Sequence, residues 1–129
     1  MIAIGVVVLL AFVLGFMEPA NKKATRDQIF MEVQECGELL GGDDSSQRDC
    51  IIRLDSLLGK SLKYAGFREE TLGKMLISAK SMFDKKLYNE IWEAHKLRNK
   101  MVHENYVQSG GEVRSAVKYF KMGIRKLLR

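Results

Sequence analysis

Residues 109–127 read SGGEVRSAVKYFKMGIRKL, and this stretch decides the fold class. Its apolar residues recur at intervals of three and four, which keeps them on one face of a helix. Those residues are Val113, Ala116, Val117, Phe120, Ile124 and Leu127. Ser109, followed three residues later by Glu112, has the form of a capping box. The stretch therefore predicts an amphipathic helix that begins at Ser109 and buries one face.

The same spacing recurs along the preceding chain, and no alternating run typical of a strand appears. We therefore predict an all-α domain, a bundle of four to five helices over residues 25–129. The predicted helix starts are Thr25 with Gln28 as capping partner, Ser46 with Asp49, Thr71, and Asp84. Glycines at 41, 42 and 66 mark the ends of the first two helices.

The predicted core follows from the apolar stripes of these helices. Its members are Ile29, Val33, Cys36 and Leu40, then Cys50, Ile51, Leu54, Leu57, Leu58, Leu62 and Ala65, then Leu72, Met75, Leu76, Ala79 and Phe83. The two cysteines show no CxxC or CxxH spacing, so we read both as small buried residues. We expect neither a metal nor a cofactor.

Residues 2–16 read IAIGVVVLLAFVLGF and contain no charged side chain. A helix this apolar on every face suits lipid, so we predict a transmembrane anchor at residues 1–17, about 25 Å long. Residues 18–24 would form a juxtamembrane tether, with Pro19 ending the anchor helix. Lys22, Lys23 and Arg26 flank the anchor, which places the domain on the cytoplasmic side of the inner membrane.

Two alternatives to the anchor remain open. A cleaved signal peptide would have small residues at its exit, whereas Glu18 stands there. A buried core helix would need a larger domain around it than the remaining chain provides.

The formal net charge is +5, from 21 Lys and Arg against 16 Asp and Glu. A basic domain favours anionic partners, either nucleic acid or lipid headgroups. The last helix carries a basic stripe, Arg114, Lys118, Lys121 and Arg125, at offsets of four, seven and eleven. This stripe is either a solvated face or a surface for RNA or headgroups.

The helix over residues 87–103 carries polar groups in unusual places. Projected at about 100° per residue, Arg98 falls inside the apolar sector, where an unpaired guanidinium would be costly. It must meet a carboxylate or face a cleft, and Asp55 is the candidate carboxylate. A neighbouring sector holds Tyr88, Trp92, His95, Asn99 and His103, a set typical of a surface that contacts a second copy or a nucleotide base.

Residues 98–103, RNKMVH, have the form R-N-x-x-x-H near the end of a helical domain of about a hundred residues. This motif and the stretch around it resemble the HEPN family, and the resemblance covers residues 25–129. It implies a homodimer in which motif residues of two protomers face each other, and RNA cleavage without a metal. The implied products are a 2′,3′-cyclic phosphate and a 5′-hydroxyl.

The resemblance implies a role for each motif residue. His103 would exchange protons with the ribose or the leaving oxygen, Arg98 would hold the phosphate, and Asn99 would orient either one. Arg98 and His103 lie about 140° apart on an unbroken helix, so either a twofold dimer or a break of the helix at Val102 would have to bring them together. Tyr88 and Trp92 are the predicted dimer contacts. His95 and the basic stripe would bind the RNA.

Two functions are therefore in competition. The first is a membrane-anchored ribonuclease for defence or stress, with an antitoxin as possible partner. The second is a non-catalytic dimerisation or scaffold module at the membrane face. Binding of anionic lipid through the basic stripe is a third option. Coordinates that pair Arg98 with a carboxylate of its own bundle and leave His103 in solvent would count against the nuclease.

Overall fold

A computed structural model describes residues 21–129 in full and, of residues 2–20, only that they belong to the first helix. The elements are α1 (Ile2–Leu39), α2 (Asp44–Tyr64), α3 (Leu72–Ser78), a 3₁₀ turn (Lys80–Met82), α4 (Lys85–His103) and α5 (Gly110–Leu127). The described residues contain no strand, so the prediction of an all-α fold is confirmed.

The helices pack as two antiparallel pairs. Lys22 Nζ lies 5.1 Å from the centroid of the Tyr64 ring, so the fully described part of α1 begins beside the end of α2. Gln108 Nε2 donates to the carbonyl of Asp44 at 3.0 Å, which ties the loop before α5 to the start of α2. Consequently α2 and α5 run in the same direction, and α1 and α4 run against them.

The core lies where α2, α4 and α5 meet, with α1 packed on the outside of α2. The predicted stripe of α5 is entirely buried, and so is that of α2 except for Ala65. Val33, Leu40 and Leu72 are only partly buried because they lie at the margins of the bundle. Burial of Phe120 alone contributes about 2–3 kcal/mol.

Gly123 of α5 lies against side chains of both α4 and α2. A Cβ built there would lie 2.7 Å from Ile91 Cδ1 and 3.6 Å from Leu58 Cδ1. A separation below 3 Å means that Ile91 would have to move. The absence of a side chain at residue 123 therefore lets α5 sit close to α4.

Cys36 and Cys50 are both buried and free. Burial raises the pKa of the Cys50 thiol to about 11 and also raises the pKa of Cys36. Since the thiolate is the reactive form, both thiols are held inert at neutral pH. The prediction that they are small core residues is confirmed.

Three predicted helix starts are confirmed by cap hydrogen bonds. Thr71 accepts from Lys74 N, Asp84 accepts from Leu87 N, and Ser109 forms the complete capping box with Glu112. The start of α2 was predicted wrongly at Ser46. Its N-cap is Asp43, whose carboxylate accepts from Ser46 N at 2.9 Å, so Ser46 is the donor and not the cap.

The predicted start at Thr25 is also wrong, because α1 is already helical there. The Thr25 hydroxyl donates to the carbonyl of Asn21 at 3.0 Å, as hydroxyls do inside a helix. Residues 21–24, predicted as part of a tether, therefore belong to α1, and the bounds of α1 run past the stop predicted at Pro19. Ile29 and Cys36 of α1 are buried against α2, and this packing holds the segment around Thr25 helical.

Among the fully described residues, no helix is long and apolar enough to cross a membrane. The anchor predicted for residues 1–17 lies outside those residues.

Candidate functional site

Four side chains of α2 and α4 form a closed polar ring. Asp55 Oδ1 lies 2.7 Å from His95 Nδ1, and Asp55 Oδ2 lies 3.5 Å from Arg98 Nε. Arg98 Nη1 donates to Asn99 Oδ1 at 2.9 Å, and Asn99 Nδ2 lies 3.5 Å from His95 Nε2. We call Asp55, His95, Arg98 and Asn99 the polar ring.

Donors and acceptors match around the polar ring. Asp55 accepts from His95 Nδ1–H, which leaves Nε2 of a neutral imidazole as an acceptor for the Asn99 amide. The Asn99 carbonyl oxygen then accepts from the guanidinium. The contact of Arg98 Nε with Asp55 is an ion pair by distance, although its N–H is not aligned for a hydrogen bond. The ring therefore satisfies most of the polar atoms it holds.

Burial distinguishes the members of the polar ring. The side chain of Asp55 is 7% exposed, that of His95 is 13% exposed, and that of Arg98 is 31% exposed. A carboxylate this buried needs partners to offset its desolvation. His95 and Arg98 supply them, which confirms the prediction that Arg98 meets Asp55.

His103 lies in a different environment from Arg98. It occupies the last turn of α4 and is exposed, and within the described residues its side chain has no hydrogen bond or ion pair. A straight helix keeps Arg98 and His103 on different faces, as their spacing predicts. One protomer thus brings Arg98, Asn99 and His95 together but leaves His103 apart.

The aromatic residues of α4 form a row beside the polar ring. Ring centroids are 6.3 Å apart for Tyr88 and Trp92, and 5.9 Å apart for Trp92 and His95. Both Tyr88 and Trp92 are half-buried. A Cβ at Gly73 would lie 3.4 Å from the Trp92 ring, so Trp92 also packs on α3 within its own bundle. Tyr88 likewise packs within its own bundle, with its ring centroid 6.5 Å from that of Phe83.

The basic stripe of α5 divides into two parts. Lys121 and Arg125 line a groove between α1 and α5 together with Phe30 and Val33. Arg114 instead folds over the first turn of α5, where a Cβ at Gly110 would lie 3.2 Å from Arg114 Nη1. Arg114 and the pair Lys121 and Arg125 therefore have different surroundings, and binding by the stripe stays a prediction.

The loop between α4 and α5 is held by polar contacts of its own. The Tyr106 hydroxyl donates to Glu112 Oε1 at 2.8 Å, and Lys100 Nζ lies 5.5 Å from the Tyr106 ring centroid. Hydrogen bonds from the Ser109 backbone and from the Tyr106 hydroxyl lower the pKa of the Glu112 carboxyl. Asn105 turns the chain with φ +51°, in the left-handed region that Asn tolerates.

No group of three or more His, Cys, Asp or Glu side chains that could hold a metal ion occurs among the fully described residues. The polar ring holds one carboxylate and one imidazole, and the imidazole is already committed to that carboxylate. Its donor set therefore suits internal pairing and not metal coordination.

Comparison with protein families finds no family model that matches the chain, and comparisons with curated proteins and with solved structures find no significant match.

Sequence reasoning found the pairing of Arg98 with Asp55 but missed the shared role of His95. His95 and Asn99 are four residues apart, so they lie one above the other on one helix face. A carboxylate in the facing apolar stripe of α2 could have bound either His95 or Arg98. Only the contact between α2 and α4 therefore shows that Asp55 pairs with both His95 and Arg98.

Proposed function

We propose that this chain is a membrane-anchored helical interaction module that self-associates at the cytoplasmic membrane face and has no catalytic role. The polar ring is the observation that carries the proposal. It uses Arg98 and Asn99 inside the bundle, and His103 stands alone in solvent. The two groups that a nuclease would need on one phosphate are therefore committed to different environments within a protomer.

The anchor in this proposal rests on residues 1–17 and on the charges that follow them. Residues 2–16 carry no charge, and Lys22, Lys23 and Arg26 come next. A charge-free stretch of this length favours a lipid environment, and the cations favour retention of the domain in the cytoplasm.

Self-association is supported by the exposed apolar surface next to the start of α4. Ile77 is 63% exposed, and a groove that begins at the next residue, Ser78, is lined by Phe83 and Tyr88 together with polar residues. Those polar residues are Ser78, Lys80, Ser81, Lys85 and Asn89. Aromatic side chains at the edge of such a groove are typical of protein contact surfaces. A second copy of this chain would bury Tyr88 and Ile77 together.

The test measures assembly and RNA cleavage on the same full-length preparation in detergent. We expect a dimer by light scattering, weakened at least about tenfold by Tyr88→Ala, since aromatic contacts commonly contribute more than about 1.4 kcal/mol. Tyr106→Ala is the matched control, because Tyr106 lies in the α4–α5 loop and should leave the dimer intact. Single-stranded RNA should remain whole in EDTA. A monomer at high concentration would refute the module.

The second candidate is a HEPN-like ribonuclease, and one observation favours it. The Arg98 side chain is still 31% exposed, so its outer edge can reach a phosphate. In a twofold dimer the partner could supply the imidazole that one protomer cannot. Cleavage of RNA in EDTA, lost in both Arg98→Ala and His103→Ala but kept in Lys96→Ala, would replace the module with this enzyme.

A further inference from the structure

The described residues are strongly polarised in charge from one end of the bundle to the other. At one end of the bundle, the fully described part of α1 begins at residue 21. We call this end the anchor-side end, and it contains residues 21–27, 63–70, 80–86 and 125–129. These segments hold eleven Lys and Arg side chains against four carboxylates. The opposite end contains residues 35–49 and 104–112, which hold seven carboxylates and one cation, Arg48. The side chains of Lys100 and Arg114 also reach this end, so it holds seven carboxylates against three cations.

The fold, and not the sequence order, gathers these cations. Lys22 Nζ lies 5.1 Å from the Tyr64 ring centroid, which places the Lys22 turn of α1 beside the end of α2. Because α5 runs parallel to α2 and α4 runs antiparallel to it, the end of α5 and the start of α4 lie at the same end. Lys80 Nζ, 5.8 Å from the Tyr88 ring, adds the 3₁₀ turn to this cluster.

Most of the anchor-side cations are available for the membrane, and only Lys80 and Lys85 also line the groove assigned to self-association. All eleven are exposed. Two of the four carboxylates there are already engaged, since Glu70 pairs with Lys74 at 2.8 Å and Asp84 caps α4. The net positive charge of the end is therefore not cancelled by its own acids.

We propose that the anchor-side end docks on the anionic surface of the membrane in which the chain is anchored. The inference rests on the proposed anchor and adds an orientation for the domain. Along a helix, Lys22 and Lys23 lie about 8–9 Å beyond residue 17, at the depth of the headgroups. Each basic side chain held near an anionic leaflet strengthens the attraction, and the acidic opposite end is repelled toward the cytoplasm.

The test uses the full chain in nanodiscs of phosphatidylcholine, alone or with about one third phosphatidylserine. Acylation of lysines by a soluble reagent is followed at each position by mass spectrometry. We expect Lys63 and Lys80 to be labelled about fivefold more slowly in the anionic discs. This factor corresponds to the attraction of about 1 kcal/mol between one basic side chain and an anionic leaflet. Lys96 and Lys100, away from the anchor-side end, should be labelled at equal rates in both.

Two variants and a salt control sharpen the result. Lys85→Glu with Lys86→Glu should abolish the protection, and acids in the first turn of α4 suit the helix dipole, so folding is kept. Lys96→Glu with Lys118→Glu makes the same charge change elsewhere and should leave the protection intact. In about 1 M salt, where charges are screened beyond about 3 Å, the protection should disappear.

Equal labelling of Lys63 and Lys80 in the two kinds of disc would overturn the docked orientation while leaving the anchored module intact. Protection by an added RNA oligonucleotide in neutral discs, without protection by phosphatidylserine, would also overturn it in favour of nucleic acid. Failure of the chain to co-elute with the phosphatidylcholine discs in high salt would be seen before any lysine is labelled. It would overturn the anchor itself.

Discussion

Arg98 and His103 lie five residues apart on the same helix, yet their side chains have opposite environments in the bundle. Arg98 faces Asp55 of α2, and its guanidinium also donates to Asn99, its neighbour on α4. His103 faces solvent at the end of α4, beside a loop that is held by Tyr106, Ser109 and Glu112 without its help. A short motif therefore does not define a site, because the packing of the helix determines which of its residues share an environment.

The largest loss of stability should come from a change at Asp55, the residue of α2 that pairs with Arg98. Asp55→Ala leaves His95 Nδ1 without its acceptor and Arg98 without its counter-charge at a helix interface, and only their contacts with Asn99 remain. We expect the free energy of unfolding to fall by about 3 kcal/mol. Thermal melts followed by circular dichroism, with the full chain in detergent, measure the loss.

Asp49→Ala is the control for that change, since Asp49 is an exposed acid of the same helix. It should alter stability by less than about 0.5 kcal/mol. Equal melting temperatures for the two variants would show that the polar ring contributes little, and the contrast between Arg98 and His103 would lose its energetic basis.

A smaller effect is expected where the α4–α5 loop enters α5. Ser109→Ala removes one half of the capping box and should cost about 1 kcal/mol. Ser115→Ala, exposed within the same helix, should be close to neutral or slightly stabilising. A cost at residue 115 as large as that at residue 109 would contradict a specific role for the cap.

The same capping box predicts a dependence on pH. The pKa of Glu112 is lowered in the folded state by hydrogen bonds from Ser109 N–H and the Tyr106 hydroxyl. Its stabilisation is therefore complete above the ordinary range of a glutamate and is lost as the pH falls through the lowered pKa. Melting temperatures of Glu112→Gln and the unmodified chain should converge in acid and differ at neutral pH.

The smallest effect should come from His103. His103→Ala is expected to change the free energy of unfolding by less than about 0.5 kcal/mol. Self-association should be unchanged, and RNA should remain uncleaved. The chain has two histidines, so His95→Ala provides the contrast, with a loss of about 2 kcal/mol from the polar ring. A variant at residue 103 that destroyed an RNA-cleaving activity would restore the ribonuclease.

Most of the helical architecture could be predicted from the sequence because its signals are local. The apolar stripe of α5 and the caps at Thr71, Asp84 and Ser109 depend on residues three or four apart. The starts at Thr25 and Ser46 were wrong for a related reason. A Thr or Ser beside a polar residue can cap a helix or lie inside one, and tertiary packing decides between them.

The candidate site was only partly predictable. The pairing of Arg98 with Asp55 followed from the cost of an unpaired cation in an apolar stripe. The position of His95 between Asp55 and Asn99 did not, because it requires the register of α2 against α4. The charge polarity of the bundle was hidden for the same reason, since its cations come from four segments far apart in the chain.

The glycine at residue 123 sets a rule for how this fold can vary. A methyl group there would lie 2.7 Å from the end of the Ile91 side chain, which would then have to shift, so a smaller residue at position 91 would favour a side chain at position 123. Chains that share the crossing of α4 and α5 should keep glycine at the second position or carry a smaller residue at the first. Covariation of this pair would thus identify relatives of the bundle even where the polar ring has been replaced.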